Sequence, residues 1–146
     1  MYKRQLSSLQ DRFPGQLAVR IDFDEGLAQR IYACADYFMM PSAFEPSGLA
    51  QMMAMRYGTL PIVHETGGLR DSVLAYNAET GAGDGFSFWD YNAGVLTNIL
   101  RMAKSVYADQ PKVYAKLQQH AMVKDFDWHH SAAEYLKGYQ RILGKA

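Results

Sequence analysis

The chain has 146 residues, fifteen of them basic and fifteen acidic, so its formal net charge is zero, and apolar residues make up 49% of it. This composition favours one folded domain and argues against disorder and against charge-driven nucleic-acid binding. One cysteine, Cys34, excludes an internal disulfide framework and a cysteine-rich zinc site. No apolar run approaches membrane-spanning length and the first ten residues do not resemble a signal peptide, so we expect a cytoplasmic protein without a membrane partner.

Short apolar segments alternate with amphipathic ones along the chain. Helices are predicted at 3–12, 25–35, 48–57, 67–75, 91–108, 111–122 and 128–143. Strands are predicted at 17–21, 37–40, 60–64 and 86–88. Ser47 is a plausible N-cap for the helix that follows it, and Gly58 is a typical stop after that helix. The alternation predicts an α/β fold with a mainly parallel sheet.

The last predicted helix has an apolar stripe, which we expect to pack in the core or to form an interface. The stripe consists of Ala132, Tyr135, Leu136, Tyr139, Ile142 and Leu143.

Two strand-to-helix loops are the candidate sites, because ligands of parallel sheets bind beyond the carboxyl ends of the strands. The first loop, residues 41–49, places Glu45 just before a predicted helix. Its carboxylate could accept hydrogen bonds from backbone N–H groups or sugar hydroxyls, or it could simply cap the helix, which the helix dipole favours. The second loop, residues 65–68, contains Gly67 and Gly68. Two glycines at a helix start let backbone N–H groups approach a phosphate, although the pair could also be only a tight connecting turn.

No cofactor or metal site is predicted. The glycines in 77–85 lack the strand before and the helix after them that a phosphate-binding loop requires. His129 and His130 are adjacent, so on a helix they point in different directions and cannot chelate one ion together.

The two loops form one long ordered pattern. Ser-x-x-Glu-Pro-x-Gly-Leu begins at Ser42, a helix and a strand follow, and Thr-Gly-Gly-Leu begins at Thr66. This pattern resembles the carboxyl-terminal domain of bacterial glycogen synthases and plant starch synthases, which are retaining glucosyltransferases of the two-domain GT-B type. The resemblance implies a Rossmann-like nucleotide-sugar-binding domain over 1–146, with 128–143 as its C-terminal helix. It also implies that the domain is incomplete at its N-terminus and that the family's N-terminal domain is a missing partner.

The family transfers glucose from ADP-glucose to the non-reducing end of an α-1,4-glucan with retention of configuration, so the resemblance implies these two substrates. It makes Glu45 the catalytic residue, in contact with the transferred glucose. The resemblance also implies substrate-binding roles: Ser47, Gly48 and Leu49 line the sugar pocket, Thr66, Gly67 and Gly68 form the diphosphate turn, and Phe23 stacks on the adenine. The alternative for Phe23 is a core residue at the end of a strand. The chain alone is expected to be inactive.

The chain departs from the family pattern at several positions. Ser47 replaces a common Cys, Ala50 a common Thr, and His64 a common Arg. Many other GT-B enzymes have a second glutamate eight positions after the first. This chain has Met53 there, and glycogen and starch synthases generally lack the second glutamate too. Two alternatives remain open at this point: a part of another GT-B transferase, such as a sucrose- or trehalose-related enzyme, and a non-catalytic nucleotide- or glucan-binding module.

Overall fold

The computed structural model describes residues 2–144, with only the backbone of Tyr2 and Lys3. The chain divides into two compact units, the first ending at Arg30 and the second starting at Ile31. The helices are α1 (Tyr2–Arg12), α2 (Glu25–Cys34), α3 (Ala50–Arg56), α4 (Gly67–Ser72), α5 (Ala93–Asp109), α6 (Pro111–Val123) and α7 (Trp128–Ile142). The strands are β1 (Tyr37–Met40), β2 (Leu60–His64) and β3 (Phe86–Phe88).

The first unit contains α1 and most of α2, and it corrects one prediction. Residues 17–21 form no strand, although Leu17, Val19 and Ile21 alternate with polar residues. The Val19 N–H donates to the side-chain oxygen of Gln10 at 2.7 Å. No described segment pairs with 17–21. The predicted strand was wrong because a strand requires a neighbour that accepts and donates ladder hydrogen bonds, and alternation alone does not provide one.

The second unit is built on a parallel sheet of three strands in the order β1-β2-β3. Tyr37 pairs with Leu60, and Ile62 pairs with Phe86. All five residues of β2 are buried, as expected for a central parallel strand covered on both faces. Within the described residues β1 has a partner on one side only, so it is an edge strand. The structure confirms the predicted α/β fold and its parallel sheet.

The core lies between the sheet and helices α3, α5 and α6. Its largest fully buried side chains include Phe86, Met55, Leu60 and Leu117. Two tyrosines attach the edge strand and the residue before it to the helices: Tyr37 Oη donates to the Ala103 carbonyl at 2.7 Å, and Tyr114 Oη donates to the Asp36 carbonyl at 2.9 Å.

The same two tyrosines have perturbed acidities. Burial, assisted by the Asp36 carboxylate, raises the pKa of Tyr114 to about 12. Burial and the neighbouring Tyr114 raise the pKa of Tyr37 as well. Each phenol is therefore held in its neutral, hydrogen-bonding form by the packing of α5 and α6 around β1.

Helix α7 does not contribute to the described core. No residue of the helix is buried, and Tyr135, Tyr139 and Ile142 are 63%, 59% and 82% exposed. The core interpretation of the apolar stripe is therefore wrong, and the interface interpretation stays a prediction. Asp127 caps the helix by accepting from the His129 N–H at 2.7 Å. No helix of the described chain has the length and apolar character to cross a membrane.

Candidate functional site

The two loops meet at the carboxyl edge of the sheet. The first loop follows β1 and the second follows β2, and these strands are parallel neighbours. The Gly68 N–H donates to the carbonyl oxygens of both Glu45 and Pro46, each at 3.2 Å. The structure therefore brings together the two segments that the sequence pattern singled out, through their backbones.

Gly67 and Gly68 are required by this contact. Gly67 has φ of +45°, and a Cβ there would overlap the Glu45 carbonyl. A Cβ on Gly68 would overlap the backbone of Ser47. The glycine pair thus allows close packing of the two loops, which is a role that the sequence pattern did not reveal.

The packing also limits which amides can meet an anion. The Gly68 N–H is used by the first loop, and the Thr66 N–H donates to the His64 carbonyl at 2.8 Å. Of these neighbouring amides, the Gly67 N–H is the one with no hydrogen-bond partner in the described part of the chain.

The first loop presents Glu45 without using its side chain for the fold. The Glu45 carboxylate is partly exposed and has no hydrogen bond or ion pair within residues 2–144. Helix α3 begins at Ala50, its N-cap is Leu49, and no side chain caps it. The predicted cap at Ser47 is therefore wrong, and so is the capping alternative for Glu45. The reason is Gly48, whose φ of +75° is left-handed, so the helix cannot extend back through this residue to Ser47.

Sequence reasoning missed two buried polar residues behind the loops. Gln51 is fully buried, and its Nε2 donates to the Gly48 carbonyl and to Ser72 Oγ, both at 2.9 Å. Ser72 Oγ in turn donates to the Gly68 carbonyl at 2.6 Å. A signal was present, because Gln51 shares helical spacing with Ala54 and Met55, which are the buried face of α3.

The ends of β2 and β3 support the first loop from its other side. His64 is buried, and its Nδ1–H donates to the Ser42 carbonyl at 2.8 Å; the tautomer follows because a carbonyl can only accept. The imidazole packs beside the rings of Phe88 and Tyr91, with centroid distances of 5.4 and 4.9 Å. Tyr91 Oη donates to the Pro41 carbonyl at 3.2 Å. The His64 side chain therefore supports the first loop. Its second ring nitrogen has no hydrogen-bond partner among the described residues.

The remaining candidates lie at the surface. Leu49 is 61% exposed and Ser47 is exposed. Phe23 belongs to the first unit, where its ring is 87% exposed. The core alternative for Phe23 is therefore wrong, and its ring is accessible for stacking.

Comparison of the sequence with known proteins identifies close relatives. The chain is 97% identical over 144 residues to the glycogen synthase of Lacticaseibacillus casei (strain BL23). This match covers 99% of this chain and 30% of the relative. It is 52% identical over 141 residues to the glycogen synthase of Lactiplantibacillus plantarum, covering 97% of this chain and 29% of the relative. The chain therefore spans about 30% of the length of these relatives. No family model matches the chain.

Solved structures agree with the sequence relatives. The catalytic domain of Starch Synthase IV from Arabidopsis thaliana, bound to ADP and acarbose, matches with a TM-score of 0.81 and 36% identity. The match covers 94% of this chain and 29% of that one. Sucrose-phosphate synthase from Thermosynechococcus elongatus shares the fold, with a TM-score of 0.65 and 21% identity over 98% of this chain and 35% of that one.

The parallel sheet, with its paired loops at the carboxyl edge, is that of a GT-B glycosyltransferase. Within this class the chain matches one part of the glycogen and starch synthases.

Proposed function

We propose that the chain is the donor-binding part of a glycogen synthase. The complete enzyme transfers glucose from ADP-glucose to the non-reducing end of an α-1,4-glucan and retains the anomeric configuration. The observation that supports this most is the contact between the loops, because it holds the backbone of Glu45, whose carboxylate has no partner within the described residues, against the Gly67–Gly68 turn. The related starch synthase structure contains ADP and a sugar analogue, which supports a nucleotide-sugar ligand here.

Each loop has a distinct role in this proposal. The Glu45 carboxylate accepts hydrogen bonds from hydroxyls of the transferred glucose and holds it in the reactive pose. The Gly67 N–H donates to the diphosphate, and Ser47, Gly48, Leu49 and Thr66 line the same pocket. Phe23 stacks on the adenine.

The leaving diphosphate is strongly anionic, and its charge must be met by fixed donors or cations in the transition state. The two loops contain no Lys or Arg, and position 64, the last residue of β2, is a histidine whose Nδ1–H donates to the Ser42 carbonyl. We therefore assign the phosphate-neutralising cations to parts of the complete enzyme other than these loops. The acceptor glucan is assigned to the family's N-terminal domain, the partner that the resemblance implies.

The other candidate functions have less support. The relatives at 97% and 52% identity are named glycogen synthases, which does not favour a non-catalytic binding module. The identity to the sucrose-phosphate synthase is 21%, against 36% to the starch synthase, which does not favour a sucrose-related transferase. The proposed compartment is the cytoplasm, and the free thiol of the exposed Cys34 suits such a reducing setting.

A grafted enzyme tests the proposal. In the grafted enzyme, the chain replaces the matching 144 residues of the Lacticaseibacillus casei glycogen synthase. We expect it to incorporate labelled glucose from ADP-glucose into glycogen at a rate close to that of the parent enzyme. A folded grafted enzyme that incorporates no glucose would contradict the proposed function.

A further inference from the structure

A continuous chain of hydrogen bonds runs behind the two loops. It starts at the Gly48 carbonyl, passes through Gln51 Nε2 and Ser72 Oγ, and reaches the Gly68 carbonyl. Gly68 is then held from both ends, because its N–H donates to the Glu45 carbonyl. We call the Gln51–Ser72 pair the loop tie. We propose that the loop tie consists of two positioning residues, which fix the backbone at Glu45 relative to the Gly67–Gly68 turn; what this achieves in catalysis rests on the proposed function.

The burial of the tie gives it its strength. Gln51 is 0% exposed and Ser72 is 8% exposed, so these bonds face little competition from water. Each residue connects groups that are far apart in the sequence: Gln51 and Ser72 are 21 positions apart, yet their side chains are in direct contact. A shift of one loop relative to the other would break at least one buried bond.

The choice of glutamine is not explained by packing. Gln51 Oε1 is buried and has no hydrogen-bond partner among the described residues. A buried polar atom without a partner lowers stability, and an apolar side chain of similar volume would avoid that cost. The amide is therefore better explained by what its Nε2 holds, the Gly48 carbonyl and the Ser72 hydroxyl, than by the core around it.

The contact with Gly48 is a second reason to assign a positioning role to Gln51. Its φ is +75°, and Gln51 Oε1 lies 2.6 Å from the point where a Cβ on Gly48 would stand. The Gln51 side chain thus packs directly against the left-handed turn that sets where Glu45 and Ser47 lie before α3. Removal of the amide frees this turn without touching any side chain that we assign to substrate.

Geometric precision of this kind matters for a group-transfer reaction. A misplacement of about 1 Å, even one caused by a residue remote from the chemistry, can cost on the order of 100-fold in rate. We therefore expect loss of the tie to lower kcat, since the glucose would still bind but would no longer be held in the reactive pose.

The test uses Ser72→Ala and Gln51→Met in the grafted enzyme, with Thr59→Val as the matched control. Thr59 is also buried, and its hydroxyl donates to the carbonyls of Tyr32 and Ala35 at 2.6 and 2.7 Å, away from the loops. Each change removes a buried side-chain hydrogen bond and leaves its acceptor unpaired, which lowers Tm; in Gln51→Met the removal of the unpartnered Oε1 offsets part of this loss. We expect kcat at saturating ADP-glucose to fall at least about tenfold in the two tie variants only. The KM for glycogen is expected to stay close to the parent value.

Amide hydrogen exchange of the peptide that contains 65–69 provides a readout that does not need activity. We expect faster exchange there in both tie variants and unchanged exchange in Thr59→Val. Parent-like kcat or parent-like exchange in the tie variants would overturn the inference, and so would an equal fall of kcat in the control. If the unsubstituted grafted enzyme transfers no glucose, the proposed function fails, and the exchange measurement alone decides whether the tie holds the loops.

Discussion

The Glu45 side chain is available for chemistry because the fold uses only its backbone. Its carbonyl accepts from the Gly68 N–H, whereas its carboxylate has no partner in the described chain. We predict that Glu45→Gln in the grafted enzyme lowers turnover on the order of 100-fold or more, because hydrogen bonds that hold the glucose weaken when the charge is removed. Steady-state kinetics with ADP-glucose measure this effect, and circular dichroism is expected to show a parent-like fold.

Glu79→Gln is the control for the Glu45 variant. Glu79 is an exposed carboxylate in the 77–85 loop, outside both candidate loops. Its variant is expected to keep parent-like turnover. If Glu45→Gln also keeps near-normal turnover, Glu45 does not belong to the site.

Gly68 is expected to be a stability residue as well as a site residue. A Cβ there would overlap the backbone of Ser47, so Gly68→Ala must push the loops apart. We predict that it lowers the free energy of unfolding by about 1–3 kcal/mol, the usual cost of overpacking. The sequence predicts that glycine at this position leaves room for a phosphate, and the contact with Ser47 adds a structural requirement.

Gly138→Ala in α7 provides the comparison for Gly68→Ala. Nothing lies within 4 Å of a Cβ at Gly138, and alanine is the better helix former. We expect Gly138→Ala to be neutral or stabilising in urea denaturation of the grafted enzyme. Equal stability of the Gly68 variant and the parent would show that the loops can separate freely.

At the scale of elements, the contact of β1 with α5 and α6 makes stability sensitive to alkaline pH. The Tyr114 pKa is about 12 in the folded state against an ordinary value of 10.0, and the Tyr37 pKa is raised too. Between these values the unfolded chain has lost the phenolic proton and the folded chain still binds it. Stability is therefore fully present below pH 10 and falls as the pH rises towards 12.

The Tyr114→Phe variant tests this sign. It lacks the hydroxyl that donates to the Asp36 carbonyl, so it should be less stable than the parent near pH 8. Between about pH 10 and pH 12 its urea midpoint should fall less steeply than that of the parent, because one titrating group with a raised pKa is gone. Parallel pH curves for the two proteins would contradict the assignment.

For the whole molecule, we predict that the 146-residue chain alone transfers no glucose and binds ADP-glucose weakly. The chain spans about 30% of the length of its glycogen synthase relatives, and its two loops contain no Lys or Arg for the leaving diphosphate. Loss of electrostatic stabilisation at a phosphate leaving group removes a large part of catalysis. The assay compares the chain with the grafted enzyme at equal concentration, using labelled ADP-glucose and glycogen. Transfer by the chain alone would show that the loops and their neighbours suffice.

Local sequence was enough for most of the second unit. The strands 37–40, 60–64 and 86–88 were predicted correctly because each is a short apolar run bounded by turn residues. The long helices after 90 were predicted within three residues at each end from their apolar spacing. The ordered loop pattern also identified the family, because it combines residue types and spacing over some thirty positions.

The tertiary structure decided whatever depends on a distant partner. Residues 17–21 have the alternation of a strand but no described neighbour to pair with, and the stripe on α7 has the spacing of a buried face but is exposed. The use of Gly68 against Glu45, and of Gln51 with Ser72, spans more than twenty positions in each case. Periodicity and propensity report on neighbours along the chain, so they determined most of the elements, and the ordered motif of the two loops indicated the family by its resemblance. Hydrogen bonds and packing between remote segments determined how the two loops are held together.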